Sequence, residues 1–465
     1  MKERAVLRVD DPFTGETACE LPLASAADAM ATVDRAAAAQ RAFRASPVRE
    51  RVALVTRFCE ALAGRRDEVA RDITRQMGKP VAEARREVDT CIARALHVAS
   101  LAEEALADEA LPPKPGFRRF VAREPLGVVV DVAPWNYPLL TAVNVVAPAV
   151  LAGNAVVLKH ASRTPLCAGH FARAFREAGA PAGLVEPLVA GHDVVASVIA
   201  RPEVGLAALT GSNGAGREVH RAAAERLLPV VLELGGKDAA YVADDADLAY
   251  AAANLAEGAF YNAGQSCCGV KRIYAHRRVH GDLVAALAAH ARAYAPGDPG
   301  DDATTLGPLA TPEAPGELER QLAEARAAGA RIVVGGERAS LGGRGRFFAP
   351  TIVEGARRDL AIAQDESFGP VVLVDAVDGD DDALARMNDS RYGLTASVWT
   401  RSEERAAAMG RRLEAGTVYM NRCDYLDPAL PWVGWKQSGL GLSLSRHGLL
   451  ALTRPKSFHL RTATG

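Results

Sequence analysis

Short apolar runs and helical stretches take turns along the chain from residue 128 to residue 233, and this alternation limits the fold more than any other feature. Val128 to Val132 reads as strand, Pro138 onward as helix, Ala155 to Leu158 as strand and Pro165 to Ala178 as helix. Leu184 to Leu188, Val204 to Leu209 and Pro229 to Leu232 add short apolar segments with helix-like runs between them. Parallel strands need a long crossover, and a helix is the usual one. The pattern therefore predicts an α/β fold whose parallel sheet is covered on both faces. From about 234 to 417 the alternation recurs with different punctuation, including IVV at 332–334 and VVLV at 371–374, and predicts a second α/β domain. The boundary is placed near Gly235-Gly236. No short-period repeat or low-complexity linker interrupts the chain.

Ahead of this region, Ser25 to Leu106 reads as helical, ending before the PPKPG loop at 112–116. Ser25 with Asp28 three residues on has the spacing of a capping box, with Asp in place of the usual Glu. Leu54, Phe58 and Leu62 fall one turn apart, and Val55 and Cys59 widen the same apolar stripe. Alanine favours helix but leaves little bulk for a core, so these helices must lean on other elements. At 465 residues the chain exceeds one comfortable core. A formal net charge of −2, with acids interspersed among the bases, gives no reason to expect nucleic acid or an anionic membrane as partner. The opening MKERAVLRVD has no apolar stretch behind its basic residues, which argues against a secretory signal. The apolar run from Val143 to Leu158 is broken by Asn144, Pro148 and Gly153-Asn154, and reads as helix then strand, not as a membrane span. Seven scattered cysteines, an odd number, suit a reducing compartment better than a disulfide framework, with cytoplasm the expected location.

The chemistry gathers at the ends of predicted strands. Asn262-Ala263-Gly264-Gln265-Ser266-Cys267-Cys268 sets thiols just after a polar, glycine-bearing turn, poor packing material but suited to exposing a nucleophile. A buried structural thiol is the competing reading. Only one of two adjacent thiols can point into a cleft from extended backbone, and local residues do not choose between them. Glu233 closes the run PVVLE before Gly235-Gly236, at the carboxyl end of a strand, where parallel sheets bind ligands. A salt-bridged or capping acid is its plainer explanation. Asn136, in the PWN segment with Trp135, also follows a strand. Its amide can meet a developing oxyanion, or can simply form an Asx turn before Pro138. Lys159 ends the strand AVVLK as an edge charge or an anion contact. Gly211-Ser212-Asn213-Gly214-Ala215-Gly216 opens a helix and can present N–H groups to a pyrophosphate, though it lacks the usual dinucleotide fingerprint. No metal site is expected, because no two of the ten histidines have ligand-like spacing with a cysteine or acid partner.

With these segments in place the chain resembles the aldehyde dehydrogenase superfamily over almost its whole length. The resemblance rests on PWNYPLL at 134–140, VVLKHASRTP at 156–165, LTGSNGAGREV at 209–219, LELGGKDAAYV at 232–242 and YNAGQSCCG at 261–269. DESFGPVV at 365–372, NDSRYGLTASVWT at 388–400, AGTVYMN at 415–421 and VGWKQSGLG at 433–441 extend it. Their order and spacing are far more specific than any one of them. The resemblance implies a Rossmann-like cofactor domain (1–108 and 127–233), an α/β catalytic domain (234–417), an oligomerisation element (109–126 and 445–465) and a return segment at the substrate mouth (418–444). It implies homodimers or homotetramers, with NAD or NADP as cofactor and an aldehyde as substrate. It selects Cys267 over Cys268 as the nucleophile that forms a thiohemiacetal and then a thioester. Asn136 and the Cys267 N–H would hold the oxyanion, and Glu233 would activate the hydrolytic water. Lys159 matches a ribose-binding lysine, Ser212 the helix start at the pyrophosphate with Gly211 before it, Glu366 the acid on the nicotinamide ribose, and Phe368 the aromatic beside the nicotinamide. Trp135 is counted with these cofactor contacts.

Three departures bear on specificity. NAD-preferring members often carry an acid three residues after the lysine, where this chain has Ser162 followed by Arg163. Without that acid a 2′-phosphate is not repelled, so both cofactors are expected to bind, with Arg163 toward the phosphate or toward solvent. Asn144 stands where broad aliphatic members tend to carry tryptophan and succinate-semialdehyde members often arginine, while Tyr137 keeps the neighbouring aromatic. The stretch NRCDYLDPALPWVGWKQSGLGLSLSRHG from Asn421 keeps the Lys-any-Ser-Gly pattern but lacks the usual arginine-glutamate after it. Cys423, Asp424 and Tyr425, with Ser266 and Cys268, are expected to line a polar pocket, suited to a small or medium polar aldehyde or semialdehyde. A coenzyme-A-acylating relative is the first alternative, which Glu233 argues against. A non-catalytic homologue is the second, which the presence of both thiol and acid argues against.

Overall fold

A computed structural model describes residues 5–463. Strands β1 (Val6–Asp10) and β2 (Thr17–Pro22) form an antiparallel ribbon, followed by helices α1 (Ala26–Phe43), α2 (Val48–Ala63), α3 (Arg66–Met77) and α4 (Val81–Ala105). The capping box forms: Ser25 Oγ accepts the Asp28 N–H while the Asp28 carboxylate accepts the Ser25 N–H. Leu54, Phe58 and Leu62 are buried on one stripe. Phe58 stacks on Phe171 and Phe175 with ring centroids 5.6 and 4.2 Å away, which supplies the bulk that the alanine-rich helices lack.

After the short strand β3 (Glu109–Ala110) and the longer β4 (Phe117–Pro125), strands and helices alternate. The order is β5 (Val128–Ala133), α5 (Pro138–Leu151), β6 (Ala155–His160), α6 (Leu166–Glu177), β7 (Val185–Pro187), α7 (His192–Ile199), β8 (Val204–Thr210), α8 (Asn213–Ala224) and β9 (Val230–Glu233). These strands lie parallel in the order β9-β8-β5-β6-β7. The chain winds outward from β5 through β6 to β7, then returns to the other side of β5 for β8 and β9. The order therefore reverses between β5 and β8, and the carboxyl ends there form the crevice in which open α/β sheets take ligands.

The second sheet begins with β10 (Asp238–Val242), α9 (Leu248–Phe260) and β11 (Val270–His276), then β12 (Arg331–Val334). A hairpin of β13 (Arg338–Leu341) and β14 (Arg344–Phe348) follows, then β15 (Thr351–Glu354), β16 (Val371–Val377), β17 (Tyr392–Gly393), β18 (Thr395–Trp399) and β19 (Thr417–Met420). Its order is β12-β15-β16-β11-β10-β18-β19. All neighbours are parallel except β12, which runs antiparallel to β15. The IVV run thus departs from the expected alternation, because the connection after it folds as a hairpin and provides no helical crossover. Strand β20 (Trp435–Lys436) pairs with β17, and β21 (Gly439–Leu440) adds an antiparallel edge to β9. Finally β22 (Thr453–Arg461) pairs with β4 along its length, Phe120 stacking on Phe458 at 4.4 Å, and with β3 completes a three-stranded sheet. No helix among the described residues is long and apolar enough to cross a membrane.

Candidate active site

The carboxyl edge of the first sheet meets the amino edge of the second. Asn136 follows β5, Lys159 lies near the end of β6, Gly211-Ser212 follow β8 and Glu233 ends β9. From the opposite side, Gly236 precedes β10, Cys267 precedes β11, and Glu366 with Phe368 precede β16. Specific contacts join the two edges. Asn136 Nδ2 donates to Gln265 O at 3.1 Å, and Asn262 Nδ2 donates to Asn136 O at 3.1 Å. The Gly236 N–H donates to Glu366 Oε1 at 3.3 Å, and Trp135 meets Phe368 edge-on at 5.4 Å.

The turn before Cys267 is held in an unusual shape. Asn262 and Ala263 both have φ of 53°, left-handed geometry that costs a non-glycine residue energy and persists only where its surroundings enforce it. Gly264 continues at φ 69°, where a Cβ would lie 2.2 Å from Gly369 O. Lys271 Nζ donates to Gly264 O at 2.8 Å and to Gly369 O at 2.7 Å. Gln265 Nε2 donates to Asn262 O at 3.0 Å, and its Oε1 accepts the Ala310 N–H at 2.9 Å. Gly236 allows a similarly close approach, since a Cβ there would sit 2.3 Å from Cys267 O. The backbone of Cys267 is thereby fixed from several sides, while its own N–H donates to no acceptor among the described residues.

The adjacent thiols have different surroundings. Cys267 is half-buried on the wall of a cavity of about 690 Å³. Cys268 reaches the same cavity but is buried, with Sγ donating to Asp424 Oδ1 at 2.9 Å. Hydrogen bonding with Cys267, together with burial and the Asp424 charge, pushes the Cys268 thiol well above its ordinary range. Ser266 differs from its expected place on the pocket wall. It is buried, and its hydroxyl is taken up by Asp424 at 3.0 Å.

Glu233 lies on the cavity wall and accepts a hydrogen bond from Ser443 Oγ. Burial raises its pKa, an effect opposed by the Ser443 hydroxyl, the Arg94 charge and the Thr210 hydroxyl. The Lys-any-Ser-Gly segment has a local task here. Gly439 pairs with Glu233, the Leu234 N–H donates to Ser438 O at 2.8 Å, and Ser438 Oγ donates to Gly235 O at 2.8 Å. Asn136 is held as firmly. Lys79 Nζ donates to its carbonyl at 2.7 Å and forms a buried ion pair with Glu87, whose Oε1 accepts the Leu139 N–H at 2.9 Å. Neither Lys79 nor Glu87 was singled out in the sequence, because a Lys–Glu pair separated by eight residues at a helix start carries no distinctive signal.

Tyr137, Asn144, Cys423 and Tyr425 lie on the cavity wall. Cys423 Sγ donates to Asn254 O at 3.5 Å. Asn144 Oδ1 accepts from Arg94 Nη1 at 3.3 Å. The same cavity contains Arg86, Thr90 and Arg94, which sequence reasoning passed over. Their spacing of four along α4 was the available signal, a polar stripe on an otherwise alanine-packed helix.

A dinucleotide fits the remaining groups. Lys159 Nζ is buried near the end of β6 with, among the described residues, a single 3.3 Å bond to His160 O, and burial lowers its pKa. Ser212 caps α8 by accepting the Ala215 N–H at 3.3 Å, and no acid in the first turn opposes an anion there. Glu366, raised by burial, and the Trp135–Phe368 pair lie across the crevice. Ser162 is exposed. Arg163 corrects both expectations for its direction: it is ion-paired with Asp10, which Arg346 also holds, so it serves a structural cluster. Among the described residues no group of three His, Cys, Asp or Glu side chains is arranged to hold a metal ion.

The sequence profile described as the aldehyde dehydrogenase family matches residues 1–458. A probable succinate-semialdehyde dehydrogenase [NADP(+)] of Synechocystis sp. is 36% identical over 447 residues, covering 96% of this chain and 98% of the relative. The crystal structure of an NAD-dependent aldehyde dehydrogenase from Sinorhizobium meliloti superimposes with a TM-score of 0.95 at 33% identity, covering 99% of this chain and 92% of that one. Betaine aldehyde dehydrogenase from Staphylococcus aureus, in complex with NAD+, superimposes with a TM-score of 0.94 at 29% identity, covering 99% and 95% of the two chains. The chain belongs to the aldehyde dehydrogenase family and is an NAD(P)-dependent enzyme that oxidises an aldehyde to a carboxylic acid.

Proposed function

We propose that the enzyme oxidises a small or medium polar aldehyde, a semialdehyde above all, by covalent catalysis at Cys267. The observation that carries the reading is that Cys267 and Glu233 line one cavity, with Asn136 anchored two residues from the thiol. Cys267 as thiolate attacks the carbonyl carbon, and the Asn136 amide and the Cys267 N–H receive the resulting oxyanion. Lys159, Ser212, Gly211, Glu366, Phe368 and Trp135 would hold NAD or NADP, which when bound supplies the hydride acceptor that carries the thiohemiacetal to the thioester. Glu233 then takes a proton from water, and hydroxide equivalent adds to the thioester, releasing the carboxylate and returning the thiolate. A raised Glu233 pKa brings this base closer to neutral pH, where proton transfer is most effective.

Resolution by water rather than by coenzyme A is favoured because Glu233 is present, buried and held by Ser443. The presence of both the Cys267 thiol and the Glu233 acid on one cavity speaks against a non-catalytic homologue. Ser162 and the absence of an acid beside it support use of both cofactors, and the names of the Synechocystis and Staphylococcus relatives support semialdehyde and other polar substrates. The sheet of β5 to β9 would be the core of a cofactor domain (1–108 and 127–233), and the sheet of β10 to β19 that of a catalytic domain (234–417). The oligomerisation element (109–126 and 445–465), of which 464–465 lie outside the described residues and which contains the three-stranded sheet, would join chains into homodimers or homotetramers, with the return segment 418–444 at the substrate mouth. Cytoplasm is the proposed location. The test is a panel of aldehydes with each cofactor, with and without coenzyme A. Carboxylate as product with either cofactor is expected; acyl-coenzyme A as the main product would overturn the hydrolytic reading, and strong rejection of NADP would overturn the reading of Ser162.

A further inference from the structure

Arg94 is out of place in the interior of an otherwise well-partnered helix pair. It projects from α4 toward α5, with 8% of its surface exposed. Both of its hydrogen bonds come from one nitrogen, Nη1, which donates to Leu140 O at 3.2 Å and to Asn144 Oδ1 at 3.3 Å. Nε is buried with no partner, and no bond to Nη2 is formed among the described residues. Nε and Nη2 make up the side of a guanidinium that matches the two oxygens of a carboxylate. Burial depresses the Arg94 pKa, yet a guanidinium keeps its charge in proteins, so this is a buried cation without an ion-pair partner. Such a group is costly to fold around unless an anion arrives to meet it.

The acids of the cavity do not fill that role. Glu87 is committed to Lys79, and Asp424 to Cys268 and Ser266, while Glu233 is hydrogen-bonded to Ser443 and feels the Arg94 charge without forming an ion pair with it among the described residues. Glu257 is exposed and forms no ion pair among the described residues. Two further arginines, Arg86 and Arg422, are exposed on the same cavity and lie against the rings of Tyr261 and Tyr425, at 5.7 and 3.4 Å from the centroids. Neither forms an ion pair among the described residues. The route to the thiol is therefore cationic at its rim and ends beside a buried, half-satisfied guanidinium.

We infer that Arg94, aimed by Asn144 and the Leu140 carbonyl, binds a carboxylate at the far end of the substrate and selects ω-oxo acids over uncharged aldehydes. The inference rests on the proposed aldehyde chemistry at Cys267, and it makes Arg94 a specificity residue outside the reacting atoms. An uncharged aldehyde leaves the guanidinium without a counter-anion in the bound state, whereas an ω-oxo acid supplies one. Asn144 is thus a positioning residue: its amide oxygen fixes the guanidinium and does not itself hold the substrate.

The experiment compares succinic semialdehyde with butanal, an uncharged aldehyde of the same chain length, in wild type, Arg94→Gln, Arg94→Lys and Asn144→Ala. Wild type is expected to favour the oxo acid in kcat/KM by ~100-fold or more. Arg94→Gln should lose ~100-fold on the oxo acid, chiefly through KM, at least ~10-fold more than it loses on butanal. Arg94→Lys should recover part of that loss, and Asn144→Ala should show a smaller loss of the same kind. Succinate, which cannot react, should compete with aldehyde in wild type and no longer in Arg94→Gln. Equal losses on both substrates, or undiminished succinate inhibition in Arg94→Gln, would overturn the assignment of Arg94. Butanal oxidation and its NAD(P)H burst report on the Cys267 chemistry separately: their absence from wild type would overturn the proposed function itself.

Discussion

Cys267 and Cys268 are neighbours of one chemical type placed in different surroundings. The sequence alone leaves the choice open, because adjacent positions in extended backbone differ only in direction. The fold separates them by giving the Cys268 thiol to Asp424 and leaving Cys267 half-exposed on the cavity. Asn136→Ala removes one of the two proposed oxyanion donors and should lower kcat by ~100-fold with little change in KM, as steady-state kinetics would read. Equal effects on kcat and KM would point instead to a collapsed turn. Glu233 gives a pH prediction. Its folded pKa lies above the ordinary carboxylate value, and as the proposed base it would work only when ionised, so hydrolysis of the thioester should decline as pH falls through that raised pKa. Glu233→Gln should slow turnover and abolish this acidic limb while sparing the first burst of reduced cofactor. A pH–rate profile unchanged in Glu233→Gln would remove Glu233 from the step.

At the scale of elements, helix α4 does more than its sequence reveals. Val88 and most of its alanines pack it into the core. Its polar residues face the site: Glu87 holds Lys79 under Asn136, and Arg86, Thr90 and Arg94 line the cavity. A sequence reading sees charged residues on a helix and assigns them to solvent, because only the placement of α5 and of the loop before β11 turns that face inward. Glu83 shows the energetic consequence. It is buried with one oxygen unpartnered, and burial pushes its pKa up to about 7 against the pull of Lys79 and Arg86. The folded chain keeps this proton where the unfolded chain has released it. The penalty therefore begins above the unfolded value of 4.5, is complete above about 7, and reaches on the order of 3 kcal/mol. Thermal melts should find Glu83→Gln more stable than wild type near about pH 8, with the difference gone near about pH 5. A variant less stable at the higher pH would show that the ionised carboxylate is stabilising.

Across the whole molecule, the site exists because two sheet edges are brought face to face. The strand–helix alternation made the first sheet legible, down to the strand ends that carry Asn136, Lys159, Ser212 and Glu233. The motifs before β11 and β16 could be recognised only by resemblance, since nothing local says that Cys267, Glu366 and Phe368 approach those strand ends from another sheet. The direction of β12 and the capture of Arg163 by Asp10 were beyond local reading for the same reason: both depend on partners distant in the chain. Joining the edges also predicts communication between them. If NAD or NADP binds on Trp135, Phe368 and Glu366 as proposed, it should slow alkylation of Cys267 by iodoacetamide, whereas alkylation at the same rate with saturating cofactor would separate the thiol from the cofactor crevice. The most direct measurement is peptide mass mapping of Glu233→Gln after acid quench with aldehyde and cofactor. The account predicts a burst of one reduced cofactor per chain and one acyl group on Cys267. An acyl group on Cys268, or continued turnover with no acylated cysteine, would contradict it.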